Sequence, residues 1–371
     1  MKVLRFVLLM IVGADGLLFP QREGSSSQKG RFERVKVHGK SLEGNLEGDS
    51  PDRDVSIYLP RGYDNRRQQR YPVVYLLHGY GGSDEGWYGT KTKSTFQSAG
   101  TSLPAVADKI ISSGRAREMI LVMPNAFTLF QGSMYSNSVT TGNWEAFITQ
   151  DLVAYVDSRY RTLPQRASRG LAGKSMGGYG TLRIAMKYPH VFSSIYMMSA
   201  CCLKASLNPS DNWGVVWDQA DALAKAEALR SLAGVPTADG GTMRTLARAA
   251  AWSPNPKNPP FFFDLPSKGG QLQPEVIARW AANAPLAMID QYVPNLKKLH
   301  AIGFDVGDKD FLLAANKELH SVLAQNEIPH SFEIHDGDHS NLEVVRIETK
   351  VLPFFSQNLS FSTVDQADPK D

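Results

Sequence analysis

Gly173-Lys174-Ser175-Met176-Gly177 sets a serine between two glycines, the spacing of a nucleophile carried on a strand-to-helix turn too tight for flanking side chains. Such a turn lifts the hydroxyl above a sheet at a helix N-terminus; the plainer reading is an N-cap serine on a Gly-rich turn. Gly173-Lys174-Ser175 also invites a phosphate-loop reading. That motif needs a glycine five residues before Gly173, where Ser168 stands. A serine hydroxyl is a weak nucleophile until a base takes its proton. Two imidazoles are available in His335-Asp336-Gly337-Asp338-His339-Ser340, and carboxylates to orient one of them stand in Asp305-Val306-Gly307-Asp308-Lys309-Asp310-Phe311. A metal reading or a purely structural turn competes for the histidine cluster, but Gly337 argues against the helix that a His-x-x-x-His pair favours. A calcium loop would need D-x-D-x-D-G spacing and a distal Glu, and neither is present. Attack by serine on a carbonyl also needs N–H donors for the developing oxyanion. The loop His78-Gly79-Tyr80-Gly81-Gly82 occupies the place that supplies one, which makes the backbone N–H groups of Tyr80 and Met176 the candidates. His78 reads as a structural hydrogen bonder rather than a second base. Trp87 is the candidate substrate contact.

These residues need elements to hold them. Val35 and Val37, then Val55, Ile57 and Leu59, alternate with polar residues as half-buried strands do, and predict an antiparallel edge. Val73 to Leu77 and Met119 to Met123 are continuous apolar runs, expected of strands buried on both faces, with a helix through Leu103, Val106, Ala107, Ile110 and Ile111 between them. A helix follows from Trp144 to Val156. Then come a strand at Gly170 to Ala172, the serine turn, a helix at Thr181 to Lys187 and a strand at Ser194 to Met198. The rhythm resumes with a strand at Ile302 to Val306, a helix at Phe311 to Leu323, a strand at Ser331 to Ile334 and a helix at Leu342 to Phe355. This alternation predicts a mainly parallel sheet with helices on both faces. Where a serine sits on a strand-to-helix elbow of the G-x-S-x-G kind, its partners follow in the order Asp or Glu, then His. That order points to His339 on the loop after the last strand, with His335 at the strand end as its rival. The acid belongs after the preceding strand; Asp305 falls inside it, leaving Asp308 and Asp310 open.

Between Cys201 and about Lys298 the rhythm breaks into Ala-rich helical pieces, Gly and Pro clusters and Pro259-Pro260-Phe261-Phe262-Phe263. This reads as an insertion or cap over residues 201–298. Its aromatics Trp213, Trp217, Trp252 and Phe261 to Phe263 suit either an apolar acyl pocket or simple core.

The 371 residues are 42% hydrophobic and 21% charged, enough apolar material for a full globular core. A net charge of +3 with no basic block interleaved with aromatics argues against a nucleic-acid partner. Arg61 to Arg70 reads as a solvated loop. The two cysteines, Cys201 and Cys202, are adjacent and cannot build a disulfide framework or a zinc cage. They read as buried small hydrophobes, with a vicinal disulfide as the alternative. Lys2 and Arg5 ahead of the apolar run Phe6 to Val12, then Val12-Gly13-Ala14, predict a signal peptide within residues 1–20 and hence a secreted or periplasmic protein; a cytosolic N-terminus is the alternative. No other stretch approaches the roughly 20 apolar residues of a membrane span. Residues 21–30 read as a linker, 31–358 as one catalytic domain and 359–371 as a disordered tail.

Taken together, Tyr75-Leu76-Leu77-His78-Gly79-Tyr80-Gly81-Gly82, Gly173 to Gly180, Gly307-Asp308-Lys309-Asp310-Phe311-Leu312 and Gly337-Asp338-His339-Ser340 resemble the esterase D and feruloyl esterase-like branch of the α/β-hydrolases. That group also holds S-formylglutathione hydrolases, enterochelin esterases and mycolyltransferases. The resemblance covers Arg31 to Met198 and Ile302 to Phe355. It implies an α/β-hydrolase fold, to which this chain adds the insertion or cap after the strand that follows the nucleophile helix. It carries the acid onto Asp310, the base onto His339 and the oxyanion donors onto Tyr80 and Met176. The expected activity is hydrolysis of a small-molecule or carbohydrate-linked ester without cofactor or metal. Acyl transfer with the same triad and thioester hydrolysis are the alternatives, and the long insertion departs from the S-formylglutathione hydrolase pattern.

Overall fold

The computed structural model describes residues 29–89, 95–204, 240–268 and 271–362. Apolar runs become the inner strands: β3 (Val73–Leu77) and β4 (Ile120–Pro124) are buried at every position. Polar alternation becomes the outer pair β1 (Arg31–His38) and β2 (Asp52–Leu59), joined antiparallel. With β5 (Arg169–Lys174), β6 (Ser194–Met198), β7 (Ala301–Gly307) and β8 (Ser331–His335) they form an eight-stranded sheet ordered β1-β2-β4-β3-β5-β6-β7-β8. From β4 onward the ladders are parallel.

Both faces of this sheet are covered. Val73, Tyr75 and Leu77 of β3 join the core cluster on one face, while Val74 and Leu76 join the cluster on the other. On the first face lie the helical stretch 144–159, α1 (Met176–Lys187), α2 (Pro285–Leu296) and α3 (Leu313–Gln325). On the second lie α4 (Leu103–Ser112) and the helical stretch 343–358. Each fully buried Val, Leu or Phe contributes about 1.5–3 kcal/mol relative to exposure. This is the α/β-hydrolase arrangement of a mostly parallel sheet flanked by helices.

Two boundaries differ from the sequence reading. The helix after the serine begins at Met176, not Thr181; Gly177, Gly178 and Gly180 hide its period, since glycine contributes no side chain to an apolar stripe. The insertion ends earlier than Lys298, because α2 packs on α1 and is the crossover between the parallel strands β6 and β7. A parallel connection needs such a helix, so α2 belongs to the main fold. The leader-like residues, most of the linker and residues 363–371 lie outside the described residues, as do Trp213 and Trp217. Among the described residues no helix is long and apolar enough to cross a membrane.

Candidate active site

The parallel registers bring the C-terminal ends of β3, β5, β6, β7 and β8 to one edge, with Leu77 opposite Gly173, Lys174 opposite Met198 and Gly307 opposite His335. The connections that follow carry Tyr80, Ser175, Asp310 and His339, with Met176 opening the helix after the serine, as expected for a ligand site at the carboxyl ends of an open sheet. Ser175 sits between β5 and α1 with φ 54 and ψ −112. A non-glycine residue in this region costs about 1–3 kcal/mol and persists only where its surroundings hold it. Ser175 N–H donates to Met198 O at 2.9 Å, and Ser175 O accepts from Tyr179 N–H at 3.0 Å and Cys201 N–H at 3.1 Å. A Cβ at Gly173 would lie 2.3 Å from the Gly177 carbonyl carbon, and one at Gly177 would lie 2.0 Å from Leu77 O. The two glycines are therefore demanded by the close approach of three backbone segments. Lys174 Nζ pairs with Glu343 at 2.7 Å, tying the turn to the start of the last helix.

His339 Nε2 stands 3.1 Å from Ser175 Oγ, and its Nδ1 stands 2.9 Å from Asp310 Oδ2. Asp310 also accepts from Leu312 N–H at 2.9 Å through its other oxygen. Burial pushes the Asp310 carboxyl up, but the His339 ring, Leu312 N–H and the Ser199 hydroxyl together hold it below the ordinary carboxylate value. The carboxylate therefore stays ionised beside the imidazole, as an orienting acid must. Asp308 has a separate task. Its Oδ1 accepts from Gly337 N–H at 2.9 Å, while its own N–H donates to His335 O at 2.8 Å, so it ties the loop that carries His339. Asp338 accepts from Ser340 and Asn341 N–H at 2.7 and 2.9 Å and shapes the same turn. Asp305 is buried inside β7 against Arg346 at 2.8 Å and Tyr196 at 2.7 Å, with His335 3.8 Å away. His335 and Asp305 thus lie in a separate ionic cluster behind the site.

Tyr80 and Met176 meet across Gly132: a Cβ there would lie 2.7 Å from Met176 Sδ and 2.9 Å from the Tyr80 ring. Among the described residues neither backbone N–H donates to a turn or loop carbonyl. The Tyr80 loop is clamped by Gly81 N–H to Gln131 O at 3.0 Å and by Tyr80 Oη to Phe130 O at 2.9 Å. His78 donates Nδ1–H to Gly79 O at 2.8 Å and accepts from Ala126 N–H at Nε2 at 2.8 Å. Both ring nitrogens serve the loop, and the ring is neutral in this role.

Trp87 requires a correction. It is 3% exposed and packs against Phe96 in the core cluster on the far face, so a substrate cannot reach it. Among the described residues an exposed aromatic does stand at the site: Phe311, 47% exposed with its ring 4.8 Å from that of His339. Its position next to Asp310 was the available signal. Trp252, Phe261 and Phe263 are core: Trp252 packs on Tyr179 and Trp280, and Phe263 on Phe130. Ser199 was missed because its approach to Asp310 depends on a positive φ of 47 at the end of β6, which spacing does not reveal.

Comparison with known proteins places this chain in a family. The chain matches the family described as "Putative esterase" over residues 50–343. An endo-1,4-beta-xylanase/feruloyl esterase of Xylanibacter ruminicola is 29% identical over 37% of this chain and 18% of its own length. An esterase of Mycobacterium tuberculosis is 33% identical over 38% of this chain and 27% of its own length. The matched stretch is thus a minor part of both relatives. Among solved structures, a ferulic acid esterase superposes with a TM-score of 0.59 at 22% identity, covering 89% of this chain and 99% of the other. An S-formylglutathione hydrolase from Staphylococcus aureus gives 0.55 at 16% identity, covering 88% and 99%. At these identities the structural likenesses speak for the fold.

Proposed function

The chain belongs to this esterase family, and on that premise we propose that it is a serine carboxylesterase working through an acyl-enzyme. The observation that carries the reading is the continuous line Ser175 Oγ, His339 Nε2 at 3.1 Å, and His339 Nδ1 to Asp310 at 2.9 Å. Ser175 Oγ attacks the ester carbonyl carbon while His339 Nε2 takes the hydroxyl proton. The Asp310 carboxylate accepts Nδ1–H, holds the tautomer and stabilises the imidazolium. The oxyanion lies between the N–H groups of Tyr80 and Met176, each donor being worth about 100-fold to 1,000-fold in rate. The imidazolium then protonates the departing alkoxide. Water, deprotonated by the same imidazole, attacks the acyl-enzyme, and the imidazolium gives that proton to Ser175 Oγ as the acid departs.

Feruloyl or acetyl esters of carbohydrates are the proposed substrates. Supporting them are the feruloyl esterase among the relatives and the exposed ring of Phe311 beside the base, where an aromatic or apolar acyl group would lie. A fluorophosphonate should label the protein once, and Ser175→Ala should abolish labelling and lower kcat by roughly ten-thousand-fold or more. Labelling that survives in that variant would remove Ser175 from the role. A panel of p-nitrophenyl esters, methyl ferulate, acetylated sugars and a thioester, run with and without an alcohol acceptor, identifies the acyl group and separates hydrolysis from transfer. Export is part of the same proposal, resting on the leader-like residues 1–20. Protein found only inside the cell, with Met1 to Pro20 still present in its mass, would contradict it.

A further inference from the structure

Two thiols stand against the back of the nucleophile turn. Cys201 N–H holds Ser175 O at 3.1 Å, so the first thiol-bearing residue is tied to the backbone of the nucleophile itself. Its neighbour Cys202 has φ 59, the left-handed region that β-substituted residues rarely enter. In an extended chain consecutive side chains point to opposite sides; the turn at Cys202 brings both sulfurs to the same side. Both are free thiols, and their sulfurs face each other directly. Cys201 is buried and Cys202 is partly exposed, beside the buried guanidinium of Arg248.

We propose that Cys201 and Cys202 form a redox modification site in which a hydroperoxide closes a vicinal disulfide and thereby lowers turnover at Ser175. The two sulfurs play unequal parts. Burial pushes the Cys201 thiol up and keeps it protonated. For Cys202 burial acts in the same direction, but the Cys201 S–H and Arg248 outweigh it and favour the thiolate. The thiolate is the nucleophile of thiol oxidation. Cys202 sulfur attacks one peroxide oxygen, the O–O bond breaks, and the departing hydroxide leaves as water after gaining a proton. Cys201 sulfur then attacks the sulfenic sulfur, loses its proton and expels the hydroxyl as a second water. The dithiol gives up two electrons and the peroxide takes them. Closure draws the Cys201 backbone toward Cys202 and shifts the N–H that supports the Ser175 carbonyl.

The effect on turnover rests on Ser175 as the nucleophile; ring closure does not. Treatment of the full chain with hydrogen peroxide, followed by iodoacetamide and peptide mass measurement, should give a peptide spanning both cysteines lighter by two hydrogens and resistant to alkylation. Ester turnover should fall about ten-fold in parallel, since misplacement of a reacting group by about 1 Å can cost 100-fold. Dithiothreitol should restore both. Cys202→Ala, scaled to its own untreated rate, should lose neither its alkylation at Cys201 nor its turnover under the same exposure. Both thiols still alkylated after peroxide, a ring with unchanged turnover, or equal loss in Cys202→Ala would overturn the proposal. If no ester is turned over before treatment, the proposed function fails while the peptide masses still decide on the ring.

Discussion

Asp308 and Asp310 lie on one loop with the same chemistry available to each, and their hydrogen bonds divide the work. Asp310 touches the His339 ring at 2.9 Å, whereas Asp308 holds the backbone of Gly337. Asp310→Asn should lower kcat about ten-thousand-fold with little change in thermal midpoint, since the amide keeps the shape but favours the wrong tautomer. Asp308→Ala should instead lower the midpoint, because a lost partner for the Gly337 N–H costs about 1–3 kcal/mol, and reduce kcat only as the His339 loop loosens. Steady-state kinetics and thermal unfolding of the two variants check the division. Equal losses of kcat would mean that the acid has been misassigned.

At the scale of the element, the turn between β5 and α1 is a meeting of three backbone segments with no room for a side chain. Gly177→Ala puts a methyl group about 2.0 Å from Leu77 O, a backbone atom that cannot swing aside. Overpacking of this kind costs about 1–3 kcal/mol or more. The variant should unfold at lower denaturant and lose fluorophosphonate labelling, because relief of the clash moves α1 and with it Ser175. A variant of unchanged stability and labelling would show that β3 and α1 have more freedom than their contact implies. The same turn explains why the helix start was hidden: the residues that permit it, Gly177, Gly178 and Gly180, are those that erase an apolar stripe.

Across the whole molecule, the sheet's β8 edge is held to the last helix by charges. Glu333 on β8 pairs with Arg346 at 2.9 Å and also with Lys350, and Arg346 reaches inward to Asp305. Hydrogen bonding from Arg346 pulls the Glu333 carboxyl from 4.5 to about 2, against a smaller opposing effect of burial. A carboxyl lowered in the folded state stabilises fully above its unfolded value and loses that contribution as pH falls through the folded value. Glu333→Gln should therefore be less stable than the parent at neutral pH, with the gap closing between pH 4.5 and about 2. Glu333 is 38% exposed, so the gap should also shrink at high salt. A gap independent of pH would assign Glu333 a packing role instead. Strand and helix order, the antiparallel edge, the serine turn and the histidine loop could all be read along the chain, because residue spacing and turn chemistry are local. What the chain could not tell was where the insertion gives way to the crossover helix α2, which face buries Trp87, that Phe311 lies beside His339, and that Ser199 reaches Asp310. Those depend on strand register and on which loops emerge at one sheet edge, and register is set by contacts between residues far apart in sequence.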